Sequence, residues 1–187
     1  MGTLLIRFTK GSRLHVPLDR EPGLLPNMLR PCTPADAAQI CDIYNHYVRE
    51  TVITFEETPV LEADMGRRIA DITSHLPWLV WEADGTILGY AYATPWKVRA
   101  AYRHSVESSI YLAHHATGRG LGSRLYQALI AELRQRGLHC VIGGAALPNP
   151  ASVALHEKLG FSKVAEFREV GFKFGRWIDV AYWELML

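Results

Sequence analysis

The chain has 187 residues, 49% of them hydrophobic, enough for one well-packed core or for one domain plus an appendage. Twenty basic and nineteen acidic residues leave a formal charge of +1, which argues against a dedicated nucleic-acid surface and against a polybasic membrane tether. The longest apolar runs fall short of a membrane span, and Cys32, Cys41 and Cys140 form no Cys-x-x-Cys pair. Neither a disulfide framework nor a zinc site is expected, and a reducing, cytoplasmic setting fits.

Residues 1–27 carry early basic residues but no apolar core of signal-peptide length and no small-residue cleavage pattern. They are expected to form an extension of no assigned role, with 28–187 as the functional unit. Met28 opens "MLRPCTPADAAQICDIYNHY", where a short strand over 28–32 precedes a helix. Thr33 is its expected N-cap, Pro34 takes the first helical position, and Asp36 supplies a capping carboxylate. Ala37, Ile40, Ile43, Tyr44 and Tyr47 then recur at helical spacing and define one buried face. A second helix is expected over about 60–74. "WLVWEADGTILGYAYATPW" reads as two strands joined at Asp84-Gly85, and "RHSVESSIYLA" as a further strand.

Leu121, Leu125, Leu129 and Leu133 make a helical stripe that ends at Gly137. "HCVIGGAAL" is a short apolar strand, "NPASVALHEKLG" a short helix, and two last strands are expected near 162–170 and 178–186. Antiparallel strands followed by a strand-helix-strand-helix unit predict a mixed α/β (α+β) fold.

The segment before the third helix, "HHATGRGLGSRLY", places Gly118, Gly120 and Gly122 at alternate positions. Its spacing matches neither the P-loop, which needs a lysine before Ser or Thr, nor the Gly-x-Gly-x-x-Gly dinucleotide fingerprint. Glycines ahead of a helix N-terminus let backbone amides converge on a pyrophosphate, and a plain strand-to-helix turn is the alternative. The pair His114-His115 reads as solvated loop with no third metal ligand nearby, so no metal is expected.

"TGRGLG" resembles the Gln/Arg-x-x-Gly-x-Gly/Ala acetyl-CoA loop of the GNAT N-acetyltransferase superfamily, with Thr117 where that pattern has Gln or Arg. "NPASVALHEKLGF" resembles the next motif of that superfamily, an Asn followed by a helix ending in Gly-Phe. "PWLVWEADGTILGYAYATPWKVRAAYRHSVESSIYL" and "KFGRWIDVAYWEL" are similar to the phosphinothricin-type acetyltransferases, which acetylate the α-amine of glutamate-like amino acids such as phosphinothricin, methionine sulfoximine and arsinothricin. The resemblance runs from about Leu29 to the C-terminus. It implies a central, largely antiparallel twisted sheet flanked by helices, split between two central parallel strands, with acetyl-CoA as co-substrate.

A protonated α-amine cannot attack a thioester, so that reaction needs a base near the amine and donors near the thioester oxygen. Strand alternation puts Glu107, Ser109 and Tyr111 on one face and Val106, Ser108, Ile110 and Leu112 on the other. The resemblance assigns the glutamate of "VESS", Glu107, to deprotonating the amine; a solvated strand carboxylate is the alternative. His156 stands where many superfamily members carry a tyrosine that protonates the CoA thiolate. Because Val153, His156 and Leu159 share a helix face, a buried structural histidine is equally open.

The resemblance further implies a cofactor site built from Ile110, Tyr111 and Leu112 along the pantetheine, from Thr117, Gly118, Arg119, Gly120, Leu121, Gly122 and Ser123 around the pyrophosphate, and from Asn149. A helix N-cap is the other reading of Asn149. For the acceptor, Lys97 and Arg99 in "WKVRAAY" bring two cations near the base, Arg99 with the fork suited to an oxyanion. They read otherwise as solvated loop charges. Phe55 aligns with an aromatic pocket lining, with Tyr111 beside it, although a lone aromatic is as readily core. Lys173 and Trp177 are expected in a loop that approaches the neighbouring subunit's site in relatives, which implies a homodimer. Cys140, in an apolar strand, is expected to be buried and inert. Other acceptors (a peptide N-terminus, a polyamine, an aminoglycoside) and a non-catalytic acyl-CoA sensor are the competing functions; paired cations disfavour polycationic acceptors, and an intact "VESS" disfavours the sensor.

Overall fold

The structure, a computed structural model, describes residues 28–187, so the N-terminal extension lies outside the described residues. In chain order the elements are β1 (Met28–Pro31), α1 (Ala37–Glu50), α2 (Glu62–Thr73), β2 (Trp78–Ala83), β3 (Thr86–Pro95), β4 (Ser105–Leu112), α3 (Leu121–Gln135), β5 (Cys140–Ala146), α4 (Pro150–Lys158), β6 (Ser162–Lys173) and β7 (Arg176–Met186). The strands form one seven-stranded sheet in the order β1-β2-β3-β4-β5-β7-β6. Every neighbouring pair is antiparallel except β4 with β5. This is the mixed α/β, largely antiparallel sheet that the sequence predicts.

The Asp84-Gly85 hairpin forms as read, with φ of 52° and 77° at its two central residues, the left-handed pair that a tight hairpin turn requires. After β1 the expected helix opens differently. Pro34–Asp36 make a 3-10 turn, and the α-helix proper begins at Ala37. The Asp36 carboxylate accepts the Thr33 backbone N–H at 2.8 Å, as a capping residue should, and also takes two hydrogen bonds of 2.8 Å each from the Arg30 guanidinium. Arg30 in turn reaches Glu82 on β2 at 2.6 Å, so this first turn is tied to the sheet by charge. Burial alone would raise the Asp36 carboxyl, but the Arg30 and Thr33 hydrogen bonds outweigh it and hold that carboxyl below its usual range.

The two faces of the sheet carry different helices. Leu125, Tyr126, Leu129 and Leu133 of α3 are fully buried on one face, while Ile40, Val48 and Ile69 of α1 and α2 close the other. The alternation read along β4 holds. Tyr111 packs edge-on against Tyr44 and Tyr47 of α1, with ring centroids 5.2 Å apart in both pairs, whereas Ser108 meets Tyr126 of α3.

At the C-terminal end the strands run further than expected. β6 and β7 meet at a two-residue turn, Phe174-Gly175, with φ of 52° and 73°. Lys173 and Trp177 therefore belong to strands and not to a loop. A single glycine after an aromatic is a weak turn signal, which is why the sequence ends the first of these strands too early and starts the second too late.

Candidate active site

β4 and β5 start side by side and then part. They are paired from Ser105 with Cys140 to Ser108 with Gly143, and beyond that point β4 continues to Leu112 while β5 stays with β7. Parallel strands that separate leave main-chain groups of both without a ladder partner. A cavity of about 400 Å³ occupies this gap, lined by Ser108 to Leu112 of β4, Gly144 to Ala146 of β5, one side of α4 and the loop before α3.

That loop is the glycine segment. Gly118 and Gly120 have φ of 76° and 74°, a region that L side chains rarely adopt, and Gly120 stands directly before the first residue of α3. The first-turn amides of the 15-residue helix have no carbonyl partner within it, and the helix dipole adds positive potential at that end. Thr117, Gly118, Gly120, Gly122 and Ser123 all line the cavity. The donor set fits a pyrophosphate. Asn149, at the start of α4, lines the same cavity, and its Oδ1 accepts the Ser152 backbone N–H at 3.1 Å, so it is a helix N-cap while facing the site.

His156 is 3% exposed and borders the cavity's inner end. Its Nδ1 donates to the Ser152 carbonyl at 2.8 Å, which leaves Nε2 as an acceptor for the Tyr126 hydroxyl at 3.2 Å. Burial pushes the His156 imidazole below its ordinary pKa, against the smaller opposing effect of the Ser152 bond. Its ring stacks on Trp183 at 5.6 Å and meets Phe161 edge-on at 5.1 Å. A neutral, packed histidine is thus what the fold builds at this position. The Tyr126 hydroxyl lies beside it in the cavity wall, held also by Ser108 at 2.6 Å. Burial pushes the Tyr126 phenol far above its usual range, so it stays a donor at neutral pH.

Glu107 lies on the other face of β4. Its Oε1 is 3.5 Å from where a β-carbon on Gly144 would stand, so it looks across the gap between the two strands. Among the described residues its carboxylate takes no side-chain hydrogen bond and no ion pair. Burial raises its pKa, with Lys97 pulling weakly the other way. Tyr182 of β7 and Trp96 beyond β3 border the same face, ring to ring at 5.8 Å, and the Lys97 ammonium sits 4.3 Å over the Trp96 ring. Lys97 and Arg99 are both exposed.

The structure therefore brings together Ile110, Tyr111, Leu112, Thr117, Gly118, Gly120, Gly122, Ser123, Asn149 and His156 around one cavity. Arg119 and Leu121 belong to the loop and helix start without lining it, and Glu107, Phe55, Lys97, Arg99 and Lys173 stand outside its walls. Lys173 is buried, with its ammonium on the Thr54 carbonyl at 2.7 Å. Sequence reasoning misses Tyr126, Ser108, the lone lining cation Lys158 and Gly144 in the wall, with Gly143 packed behind it against His156. A β-carbon on Gly143 would collide with Nε2 of His156, so the "GG" of β5 is the signal that marked this close packing.

A family model described as "Acetyltransferase (GNAT) domain" matches residues 29–182. The phosphinothricin N-acetyltransferase of Streptomyces viridochromogenes is 39% identical over 164 residues, covering 88% of this chain and 90% of that protein. The L-methionine sulfoximine/L-methionine sulfone acetyltransferase of Salmonella typhimurium is 38% identical over 157 residues, 82% of this chain and 90% of that one. A crystal structure of a GNAT superfamily phosphinothricin acetyltransferase from Sinorhizobium meliloti in complex with acetyl-CoA superposes with a TM-score of 0.83 at 39% identity, covering 86% of this chain and 88% of that one. The co-substrate is acetyl-CoA and the reaction is acetyl transfer. With a splayed parallel strand pair, a glycine loop before α3 and a family match over most of its length, the chain belongs to the GNAT acetyltransferase family.

Proposed function

We propose that residues 28–187 form the catalytic unit of an enzyme that acetylates the α-amine of a small glutamate-like amino acid, of the phosphinothricin, methionine sulfoximine or sulfone, or arsinothricin type, with Glu107 as general base. The observation that carries this reading is the Glu107 carboxylate, half-buried, raised in pKa and facing the gap beside Gly144. A carboxylate desolvated in this way takes a proton more readily than one in water, which suits it to deprotonating an ammonium directly or through water.

Acetyl-CoA supplies the activated thioester. The amides around Gly118, Gly120 and Gly122 hold its pyrophosphate, and Asn149 and the unpaired edge of β4 from Ile110 to Leu112 hold its amide-rich arm. His156 is a positioning residue that holds the Tyr126 ring and hydroxyl in the cavity wall. Arg99 and Lys97 receive the acceptor's carboxylate and side-chain oxygens, which favours an anionic acceptor over a polyamine or an aminoglycoside.

The relatives named for phosphinothricin and methionine sulfoximine support this acceptor class. Three buried free thiols, Cys32, Cys41 and Cys140, suit a reducing cytoplasm. The edge strand β6 leaves Val164, Phe167, Val170 and Phe172 each at least half exposed, and Trp177 beside them on β7 is 62% exposed. A long apolar edge of this kind is unusual on a monomer, and a second copy of the chain is its proposed cover.

The test is thiol release from acetyl-CoA in the presence of phosphinothricin, methionine sulfoximine, a polyamine or no amine. Release confined to the two amino acids is the expected result. Release with the polyamine alone would overturn the acceptor class, and release with none would leave an acyl-CoA-binding module. Sedimentation at micromolar concentration should give twice the chain mass.

A further inference from the structure

Lys173 is 1% exposed, yet it lies outside the cavity and carries no carboxylate partner within salt-bridge distance among the described residues. Its ammonium donates to the Thr54 carbonyl at 2.7 Å and sits 4.9 Å over the Phe174 ring. Burial lowers its pKa, and Glu57 and Glu56 oppose that shift from the loop it holds. A buried ammonium on a neutral carbonyl costs desolvation, so a fold that keeps one has tied two segments together at that point.

Thr54 belongs to the connection between α1 and α2, and this connection is held from several sides. The Tyr44 hydroxyl shares a 2.7 Å hydrogen bond with Thr54 Oγ1 and donates to Glu56 at 3.0 Å. Arg68 of α2 grips both oxygens of Glu56, at 2.6 and 3.2 Å. The Phe55 ring lies against Gly171 of β6 so closely that a β-carbon there would collide with it. From the same connection Ile53 reaches the cavity wall, beside Tyr47 and Tyr111. The β6–β7 hairpin, distant in sequence, thus clamps a segment that borders the site.

We propose that Lys173 is a positioning residue that holds the 51–57 segment, with Phe55 on it, as a preformed wall of the acceptor pocket. The proposal rests on the amino-acid acceptor reading above, and its test separates the two. In the full chain, Lys173→Met is expected to speed amide hydrogen exchange over 51–57. It should raise KM for methionine sulfoximine at least fivefold and leave acetyl-CoA affinity within twofold. Lys173→Arg, which keeps a donor, should restore much of the lost KM. Gly171→Ala, which displaces the Phe55 ring without touching the ammonium, should raise KM in the same way and serves if Lys173→Met fails to fold.

Unchanged exchange over 51–57 would overturn the tie. Faster exchange with unchanged KM would overturn the acceptor wall. Should the wild-type chain acetylate none of the amino acids, the exchange arm still decides whether Lys173 positions the segment, while the acceptor reading alone falls.

Discussion

Tyr126 and His156 share one hydrogen bond of 3.2 Å whose direction is fixed by a third group, because Nδ1 of His156 is already committed to the Ser152 carbonyl at 2.8 Å. The tyrosine is therefore the donor and the histidine the acceptor. Tyr126→Phe leaves Nε2 of His156 without its donor and Oγ of Ser108 without its partner, and is expected to cost about 1–3 kcal/mol of stability in a urea melt. His156→Phe, which keeps an aromatic ring in the stack with Trp183, leaves the buried Tyr126 hydroxyl without its acceptor. That loss should cost a similar amount, about 1–3 kcal/mol, in the same measurement.

Glu107 makes a statement about pH. Its raised pKa means that the active, ionised form is lost as pH falls through a value above the ordinary glutamate range, so the acidic limb of kcat/KM should lie there. Glu107→Gln is expected to drop turnover more than tenfold and to erase that limb. Lys97→Met removes the cation that favours ionisation and should move the limb higher still. A folded-state pKa raised above the unfolded one also means that the carboxylate costs stability once pH exceeds the unfolded value. Glu107→Gln should therefore melt no lower than the parent at neutral pH.

Gly120 holds φ at 74° immediately before α3. Gly120→Val places a β-branched residue there, at a backbone cost of about 1–2 kcal/mol, and turns the loop's amides away from a common centre. Acetyl-CoA binding by calorimetry should weaken at least tenfold. Unchanged binding would remove the loop as the phosphate cradle.

Arg30 links Asp36 and Glu82 across the β1–α1 corner, with its side chain 20% exposed. Arg30→Met leaves two acids without their cation and is expected to cost about 2 kcal/mol, less than a wholly buried pair because solvent still reaches it. Asp36 has a depressed pKa, so its contribution is present above the ordinary aspartate value and is lost as pH falls through the depressed one. The parent should lose stability in that acid range, and the variant should lose less of it there.

Local chemistry made much of this molecule legible in advance. Asp84-Gly85 fixes its own turn, the leucines of α3 fix their own face, and the glycines at 118, 120 and 122 announce a loop that needs left-handed backbone at its first two positions. What stayed hidden depends on contacts across the sheet. Tyr126 belongs to no motif along the chain, and its role is set only where Ser108 and His156, 18 and 30 residues away in sequence, close on its hydroxyl. Lys173 is expected in a loop near a neighbouring subunit, and the longer hairpin carries it instead to Thr54, 119 residues away. Period and turn signals register the neighbours of a residue along the chain, and these side chains are defined by neighbours across it.

The parting of β4 and β5 has a mechanical side as well. Four residue pairs, from Ser105–Cys140 to Ser108–Gly143, are the whole ladder that joins the β1–β4 leaf to the β5–β7 leaf. A molecule laid along that seam acts as a splint between two plates. Occupancy by acetyl-CoA should therefore stiffen the sheet as a body, slowing amide exchange on both leaves and not just at the residues it touches.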